Sequence, residues 1–388
     1  MRIVILLSGR FPTEKAYGVT TNGTIRALVA MGHSVTVYGL ESDYKEINLN
    51  YSKVELRNYK ELSFMRLFKL IAYSGKGVLS KVCWNIFWKS VYYSNREELR
   101  RAKFEVAWIR DPKMYKFVID MPKNIVEIHN FVGRKGILKL TNNCENGNLV
   151  LAPISRTLTN YVASLNLKSK VVMAPMGIDL DQISAENSIN DFVLQIQNSR
   201  KMKRQSIKVG YVGKFLPNGY SKGIEDLLDL ACLNKLEKLE LEISLVGGTL
   251  EEVANFEKKR SNLNLNPSDL EITPHLPHRE ALERMKTFEV LVLPQPDSKK
   301  YFGFPLKCIE AVASGRILVV ADCSIYRDIF VSHFQPYWYT PKSPKSLFCA
   351  ITNALSDNRL AEKILLGLEF ARGFTWNQRT RTILNYLE

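Results

Sequence analysis

The sequence predicts an α/β protein built from two parallel β-sheets, each with helices between its strands. Short apolar runs rich in Val, Ile and Leu alternate along the chain with stretches of helical periodicity, as βαβ units require. The runs are continuous rather than alternating, which is typical of parallel strands covered on both faces. The first set of predicted strands is Ile3–Leu7, Ser34–Tyr38, Glu105–Ile109, Ile125–His129, Leu149–Ala152 and Val171–Ala174. The second set is Lys208–Val212, Glu242–Val246, Glu271–Thr273, Val290–Leu293 and Ile317–Ala321.

A polar stretch separates the two sets of strands. The chain has 388 residues, enough for two ordinary domains, and residues 185–204 are rich in Asn, Ser, Gln and basic side chains. We therefore predict a first domain over residues 1–185 and a second over residues 186–365. Open parallel sheets bind ligands at the carboxyl ends of their strands. We accordingly expect the site in a cleft between the two domains.

Composition excludes several classes of protein. Hydrophobic residues make up 46% and charged residues 24% of the chain, the balance of a globular protein rather than of a disordered or coiled-coil one. The apolar start, residues 3–7, is shorter than the core of a signal peptide and is predicted to be a strand. The six cysteines are scattered without a Cys-x-x-Cys pair, which favours free thiols in a reducing cytoplasm over a zinc site.

The positive charge is concentrated in one aromatic segment. The formal net charge is +15, and residues 62–96 contain no acidic side chain. The basic residues of this segment include Arg66, Lys69, Lys76, Lys81 and Lys89, interleaved with Phe, Trp and Tyr. A basic amphipathic helix with aromatic residues can lie in the headgroup region of an anionic membrane, and we predict that role for these five cations. The alternative is a core-packing face with a solvated basic back. Nucleic-acid binding is least favoured because no known binding module accompanies the charge.

Two lysines enclose a loop at the end of a predicted strand in the second half. Gly213-Lys214 follows Lys208–Val212, and Ser221-Lys222-Gly223 precedes a predicted helix that begins at Ile224. Two ammonium groups beside a helix N-terminus suit a diphosphate, because point charges add to the free N–H groups and the helix dipole. Such a loop could neutralise a leaving diphosphate without a metal ion. Solvated surface lysines are the simpler alternative.

A second loop of the same half leads into a helix with a carboxylate. The loop Gly303-Phe304-Pro305 is followed by Leu306-Lys307 and then by Glu310, and Gly315 ends the helix. Early backbone N–H groups, such as those of Leu306 and Lys307, can bind phosphate oxygens. The carboxylate of Glu310 could accept hydrogen bonds from a ribose diol.

Histidine offers one candidate in the first half. His129 ends a predicted strand, so a parallel sheet would place it at the cleft, where it could contact a sugar hydroxyl or the reacting carbon. A structural strand-end histidine is the alternative. His275 and His278 follow a strand of the second half and could line the site. No Ser/His/Asp order or ladder of carboxylates indicates hydrolysis or a metal site.

Taken together, these segments resemble the GT-B-fold glycosyltransferases, specifically the retaining family 4. The Phe11–Gly18 loop, Met31-Gly-His-Ser-Val, Arg110-Asp111-Pro112 and His129 match motifs of its first domain. Further matches are Ala174-Pro-Met-Gly-Ile-Asp179, Lys214, Lys222, Glu310 and Phe374-Thr-Trp376. The resemblance implies two Rossmann-like domains facing across a cleft, with a last helix over residues 366–388 that crosses back to the first domain.

The resemblance also implies a reaction and its residues. It implies sugar transfer from a nucleotide-diphosphate-sugar to a glycan or lipid-linked acceptor with retention of configuration, and no metal or other cofactor. Gly18, Gly213, Lys214, Lys222 and the loop of residues 303–307 would bind the donor, Glu310 would hold the ribose, and His129 would orient the sugar. The basic aromatic segment adds an anionic membrane surface as an expected partner, which suits polysaccharide, lipopolysaccharide or capsule assembly on the cytoplasmic face.

One departure from the family pattern leaves alternatives open. The signature Glu-x7-Glu has Phe302 at its first position, where the family's Glu contacts the donor sugar. The identity of the sugar is therefore open. A partner subunit that binds a nucleotide-sugar without transfer is one alternative. A transferase with a soluble sugar acceptor, its aromatic segment buried as core, is another.

Overall fold

The structure is a computed structural model of the whole chain. It describes residues 1–13, 16–42, 52–65, 68–71, 77–118, 121–142, 148–183, 189–202, 206–216, 219–296, 304–331 and 334–387. The chain forms two compact units. Unit 1 comprises Met1–Gly177 and Trp376–Glu388, and unit 2 comprises Ile178–Thr375.

Unit 1 is built on a seven-stranded parallel sheet. Its strand order is β3-β2-β1-β4-β5-β6-β7. The strands are β1 (Arg2–Arg10), β2 (Ser34–Leu40), β3 (Val54–Asn58), β4 (Val106–Ile109), β5 (Lys123–Ile128), β6 (Leu149–Pro153) and β7 (Lys170–Val171). Its helices are α1 (Ala16–Ala30), α2 (Val78–Arg101), α3 (Arg134–Asn142) and α4 (Arg156–Ala163), with 3-10 turns at Ser63–Met65 and Pro112–Phe117.

Unit 2 is built on a six-stranded parallel sheet. Its strand order is β10-β9-β8-β11-β12-β13. The strands are β8 (Ile207–Val212), β9 (Leu241–Gly248), β10 (Glu271–Pro274), β11 (Val290–Leu293), β12 (Ile317–Ala321) and β13 (Tyr337–Tyr339). Its helices are α5 (Leu180–Ile183), α6 (Ile189–Met202), α7 (Glu225–Glu237), α8 (Leu250–Asn262), α9 (His278–Lys286), α10 (Leu306–Ala313), α11 (Ser324–Ile329), α12 (Pro344–Ser356) and α13 (Leu360–Arg372).

Several inner strands of both sheets are buried along their whole length. In β4, β6, β11 and β12 every residue is buried, which explains why these segments are continuous apolar runs. The two parallel-sheet domains expected from the sequence are therefore confirmed. The edge strands β3 and β13 were absent from the predicted set, because β3 is mostly exposed and β13 is only three residues long.

The chain passes between the units twice, at points that differ from the predicted divisions. The units divide at Gly177/Ile178 and at Thr375/Trp376 rather than at residues 185 and 365. Ile178 pairs with Thr375 through a β-bridge inside unit 2. The helix α13 crosses the predicted boundary at residue 365, and it packs as one element against α10 in unit 2.

The last helix, α14 (Trp376–Asn385), packs against α1 of unit 1. Close contact requires glycine on the facing helix, since a Cβ at Gly23 would lie 2.3 Å from the indole of Trp376. The guanidinium of Arg379 reaches the carboxyl end of β5, where its Nη2 donates to Glu127 Oε1 at 2.8 Å. Both side chains are almost fully buried, at 2% and 3% exposed. This ion pair fixes α14 on the sheet of unit 1.

Removal of Arg379 should strongly destabilise unit 1. We expect Arg379→Met to lower the free energy of unfolding by about 3–5 kcal/mol, because Glu127 would keep a buried charge without its cation. The measurement is a urea titration followed by circular dichroism. The control is Thr380→Val on the same helix, since Thr380 Oγ1 is buried and has no hydrogen-bond partner among the described residues. Equal stability losses in the two variants would contradict the assignment.

Candidate functional site

Two glycines bring backbone segments together at the carboxyl ends of β8 and β9. The amide of Gly213 donates to Val246 O at 2.8 Å. Gly247 has φ +124°, and a Cβ there would lie 2.3 Å from Gly213 O. Only glycine at position 247 permits both the conformation and this approach. The result is a close-packed turn from which the β8–α7 loop, residues 213–224, departs.

The two predicted lysines of the β8–α7 loop have different surroundings. Lys214 is exposed, and its carbonyl accepts a hydrogen bond of 2.8 Å from the Tyr211 hydroxyl. Lys222 is partly buried, and its Nζ donates to Gln295 Oε1 at 3.0 Å. Burial lowers the pKa of Lys222 to about 8, against a smaller opposing effect of Cys323. Lys222 is therefore a desolvated ammonium that an added anion would stabilise.

Gln295 joins this loop to the neighbouring strand. It is buried and follows β11, which pairs with β8. Gly223 has φ +76°, and a Cβ there would lie 3.1–3.3 Å from Pro296 and Gln295 N. The loop therefore packs against the chain that leaves β11. Sequence analysis did not identify Gln295, although its position just after a predicted strand could have indicated it.

The helix α10 begins at the same edge of the sheet, between β11 and β12. Its N-cap, Pro305, provides no side-chain hydrogen bond. The first N–H groups of a helix have no intrahelical acceptor, so those of Leu306 and Lys307 can bind an anion. Phe304 stacks on Phe374, with ring centroids 5.7 Å apart, and anchors the approach to the helix. Gly303 and Phe302 lie outside the described residues.

Glu310 is buried inside unit 2, with 2% of its side chain exposed. Its Oε1 lies 2.8 Å from His278 Nε2, and its Oε2 lies 3.0 Å from Lys307 Nζ. Burial raises the pKa of the Glu310 carboxyl, but Lys307 and His278 outweigh it and lower the pKa to about 2. The carboxylate is therefore ionised and already oriented. The sequence indicated Glu310 as a ribose ligand but did not show that His278 and Lys307 contact its carboxylate.

The structure brings the predicted residues of unit 2 to one edge of its sheet. Lys214 and Lys222 follow β8, while Lys307 and Glu310 lie on the helix that follows β11. Parallel strands place these connections at the same carboxyl edge. His278, considered only as a lining residue, is the first residue of α9 and reaches Glu310. In the part of the chain that the structure describes, no group of three His, Cys, Asp or Glu side chains could hold a metal ion.

His129 lies just beyond β5 in unit 1, and its side chain is 19% exposed. Its Nε2 lies 2.6 Å from Glu127 Oε2. The other carboxylate oxygen, Oε1, accepts hydrogen bonds of 2.8 Å from Trp108 Nε1 and from Arg379. The Glu127 carboxylate thus fixes the orientation of the His129 imidazole through its hydrogen bond with Nε2.

The charges around His129 favour its neutral form. Burial lowers the pKa of His129, and Arg110 lowers it further, against the opposing effect of Glu127. Burial raises the pKa of Glu127, but Arg379 and His129 outweigh it and hold it well below its usual value. A neutral His129 that donates from Nε2 to an ionised Glu127 leaves Nδ1 as a hydrogen-bond acceptor. The expected contact with a sugar hydroxyl therefore has a direction, with the hydroxyl as donor.

Gly18 has a packing role inside unit 1. It lies in the first turn of α1, where a Cβ would clash with the Thr13 carbonyl. Glycine there lets residues 11–13 pack on the helix. Its predicted proximity to the donor stays a prediction.

The basic aromatic segment, residues 62–96, has only some of its side chains exposed at the surface. Phe87 and Trp88 of α2 are buried, while Phe68, Trp84 and Tyr92 pack against the same core, so a membrane-facing role is wrong for Phe87 and Trp88. Lys69 is also turned inward. It is 20% exposed and forms an ion pair with Glu61, with both oxygens within 3.0 Å, which corrects its assignment as an exposed cation.

Another side of α2 is exposed and apolar. We call it the α2 apolar face, and it consists of Val78, Leu79, Val82, Ile86 and Tyr93. Lys81 and Lys89 are exposed on the same helix, whereas Arg66 and Lys76 lie outside the described residues. None of the described helices combines the length and hydrophobicity needed to cross a bilayer.

Comparison with known proteins decides the fold. Residues 194–365 match the family model of the glycosyl transferases group 1. Sucrose-phosphate synthase from Thermosynechococcus elongatus superposes with a TM-score of 0.68, at 14% identity over 99% of this chain and 97% of that one. The chain has the GT-B fold. The residues that match the family model, 194–365, contain Lys214, Lys222 and the segment from Gly303 to Glu310.

Other similar structures carry ligands. The Anabaena protein HepE in complex with UDP and glucose has a TM-score of 0.63 and 14% identity, over 99% of this chain and 98% of that one. An E. coli structure described as trehalose-6-phosphate bound with UDP-2-fluoro glucose has a TM-score of 0.67 and 13% identity, over 100% and 99% of the chains. No curated protein sequence matches the chain.

The protonation of His129 can be measured directly. We expect its pKa to lie below 6.5 and its neutral ring to carry the proton on Nε2, because burial and Arg110 oppose a second proton. Nitrogen-15 NMR of the histidine rings, assigned with His129→Gln, reports both properties. Glu127→Gln should lower the pKa further, since it removes the charge that favours the imidazolium. A midpoint above 6.5, or a proton on Nδ1, would contradict this description.

Proposed function

We propose that the protein transfers a sugar from a nucleotide-diphosphate-sugar to a glycan or lipid-linked acceptor with retention of anomeric configuration. The strongest support comes from the carboxyl edge of the unit 2 sheet. There Lys222 donates a hydrogen bond to Gln295, and Lys307 forms an ion pair with Glu310 near the start of helix α10. This arrangement lies within the residues that match the family model. Structures of similar fold hold UDP or UDP-sugars, so UDP-glucose is the first donor to test.

The diphosphate of the donor binds the cations and amides of this edge. Lys222, desolvated and with a lowered pKa, gains most from a phosphate, because a nearby negative charge favours the ammonium form. Lys214, exposed in the same loop, can fold over the ligand. The first N–H groups of α10 add donors and the positive end of the helix dipole. Because these groups supply the positive field, the proposal includes no metal ion.

Glu310 holds the ribose diol of the donor. A carboxylate with a pKa of about 2 remains an acceptor at every physiological pH. Its existing partners, His278 and Lys307, keep it in one orientation, so the hydroxyls meet a preorganised acceptor.

Transfer proceeds on the face from which the diphosphate departs. The bond between the anomeric carbon and the phosphate oxygen breaks while the acceptor oxygen bonds to the same carbon. The departing phosphate oxygen takes the proton of the acceptor hydroxyl, so no protein base is needed. Lys214, Lys222 and the amides of α10 stabilise the charge that develops on the diphosphate. His129 orients the sugar by accepting a hydroxyl proton at Nδ1 in a hydrogen bond.

A soluble acceptor is the second candidate. The burial of Phe87 and Trp88 favours it, because these rings then serve the core rather than a lipid surface. The α2 apolar face favours the lipid-linked acceptor and a location on the cytoplasmic face of a membrane, in polysaccharide or glycolipid assembly. The two candidates share the same donor chemistry.

Replacement of either loop lysine should impair transfer. Lys214→Ala and Lys222→Ala should each lower kcat/KM by about two orders of magnitude, since loss of a charged donor costs about 2–4 kcal/mol in the transition state. The measurement is sugar release or transfer from the nucleotide-sugar that gives the largest rise in Tm. Lys208→Ala is the matched control, because this exposed lysine lies at the opposite end of β8. Unchanged rates in both loop variants would contradict the proposal.

Membrane contact is tested with vesicles. The chain should float with vesicles that contain anionic lipid, less so at high salt, and Lys81→Ser with Lys89→Ser should lower the partition coefficient roughly thirtyfold, at about 1 kcal/mol per lysine. Lys168→Ser with Lys170→Ser is the control, as these exposed lysines of unit 1 lie outside α2. Absence of flotation would contradict membrane binding and favour the soluble acceptor. An equal fall of the partition coefficient in both double variants would do the same.

A further inference from the structure

The topology of unit 1 marks one place on its sheet for a ligand. From β1 the chain runs to β2 and β3 on one side and then returns to β4 on the other. The connections after β1 and β4 therefore leave in opposite directions, and such a switch point is where open α/β sheets bind ligands. Arg110 is the first residue after β4, and its amide donates to Leu6 O of β1 at 3.5 Å. Its side chain thus originates at the switch point.

The guanidinium of Arg110 has few hydrogen-bond acceptors among the described residues. Its Nη1 donates to the Thr20 hydroxyl, and its Cζ lies 5.9 Å from the centroid of the Tyr17 ring. No carboxylate among the described residues comes within ion-pair distance of it. An arginine has five N–H donors, so most of those of Arg110 lack an acceptor among the residues that the structure describes. Burial lowers the pKa of Arg110 to about 10, against the opposing effect of Glu127, which reflects the cost of removing this charge from water.

The nearby carboxylate is already committed to other groups. Glu127 accepts from Trp108 and Arg379 on one oxygen and lies against His129 on the other. With His129 neutral, Arg110 and Arg379 face one negative charge and leave an excess of one positive charge. A desolvated charge without a counter-ion within ion-pair distance is destabilising, so a fold that keeps one at a switch point indicates a binding function.

Neighbouring side chains fix the orientation of the Arg110 guanidinium. Tyr17 lies across the end of β1 with its hydroxyl bonded to the Arg10 carbonyl, and a Cβ at Gly9 would lie 2.7 Å from that hydroxyl oxygen. Gly9 therefore makes room for the ring beside the guanidinium. Thr20, one turn further along α1, is buried and fixes one end of the fork. The remaining N–H groups are preorganised for a planar, two-oxygen acceptor.

We propose that Arg110 is the centre of an oxyanion subsite in unit 1 that takes a phosphoryl group. Arginine binds two phosphate oxygens with parallel hydrogen bonds, which matches the donors left open here. The subsite rests on the proposed function for its role, since the phosphoryl group belongs either to the donor diphosphate or to a phosphorylated acceptor. Its existence as an anion site does not require sugar transfer.

Inorganic phosphate tests the subsite in the full chain. Isothermal titration is done at constant ionic strength in a Lys222→Ala background, which weakens the proposed donor site. Adding Arg110→Gln or Arg110→Met should reduce phosphate affinity about tenfold or more, the loss expected for hydrogen bonds to a charged group. Thr20→Val should produce a smaller loss because only the aim of the fork changes. If Arg110→Met fails to fold by circular dichroism, Arg110→Gln and Thr20→Val decide. Unaltered phosphate affinity in the folded Arg110 variants overturns the proposal. If neither Arg110 variant folds, unaltered phosphate affinity in Thr20→Val overturns it.

UDP titrations then identify the source of the phosphoryl group. In an otherwise wild-type chain, weaker UDP binding by Arg110→Gln assigns the subsite to the donor diphosphate. Unchanged UDP binding together with lost phosphate binding assigns it to the acceptor. Both outcomes support the subsite. Absence of sugar transfer by the wild-type chain would overturn the proposed function and leave the phosphate result standing, so the two failures are distinguishable.

Discussion

Glu127 in unit 1 and Glu310 in unit 2 are buried carboxylates near the carboxyl edges of their sheets, and the need to compensate each charge arranges the side chains around it. Both side chains are nearly inaccessible to solvent. A lone ionised carboxylate in such a place would cost several kcal/mol. Each therefore has one histidine and one cation within hydrogen-bonding or ion-pair distance, His129 with Arg379 and His278 with Lys307.

The two carboxylates differ in what they do for their histidine. Burial and the charge of Arg110 keep His129 neutral against the opposing effect of Glu127, so the outer nitrogen of the ring remains an acceptor. Glu310 lies within α10, and Lys307 and His278 keep it ionised despite its burial. One carboxylate thus orients another side chain, while the other is itself the ligand-binding group of the proposal. In the proposed function, the same elementary pairing serves a positioning role in one sheet and a binding role in the other.

The sequence predicted what depends on local pattern. Continuous apolar runs identified the central strands, and strand-end position identified His129, Lys214 and Lys222, because a parallel sheet places every strand end at one edge. Partners distant in the chain could not be predicted. Arg379 lies 252 residues from Glu127, and His278 lies 32 residues from Glu310. Lys69 was assigned to the surface because nothing in a charge pattern shows that Glu61 draws it inward.

Local pattern also fails where the same composition serves two sides of one helix. In α2 the large aromatic rings and the smaller aliphatic side chains are both apolar, so composition alone assigned the rings to the surface. The structure instead buries Phe87 and Trp88 and leaves Val78 and Leu79 in solvent. Burying a Trp or Phe removes more apolar area from water than burying a Val, and the core accordingly takes the large rings. What remains outside is a smaller apolar stripe beside lysines, and its energetic cost in water is the reason to look for a surface that covers it.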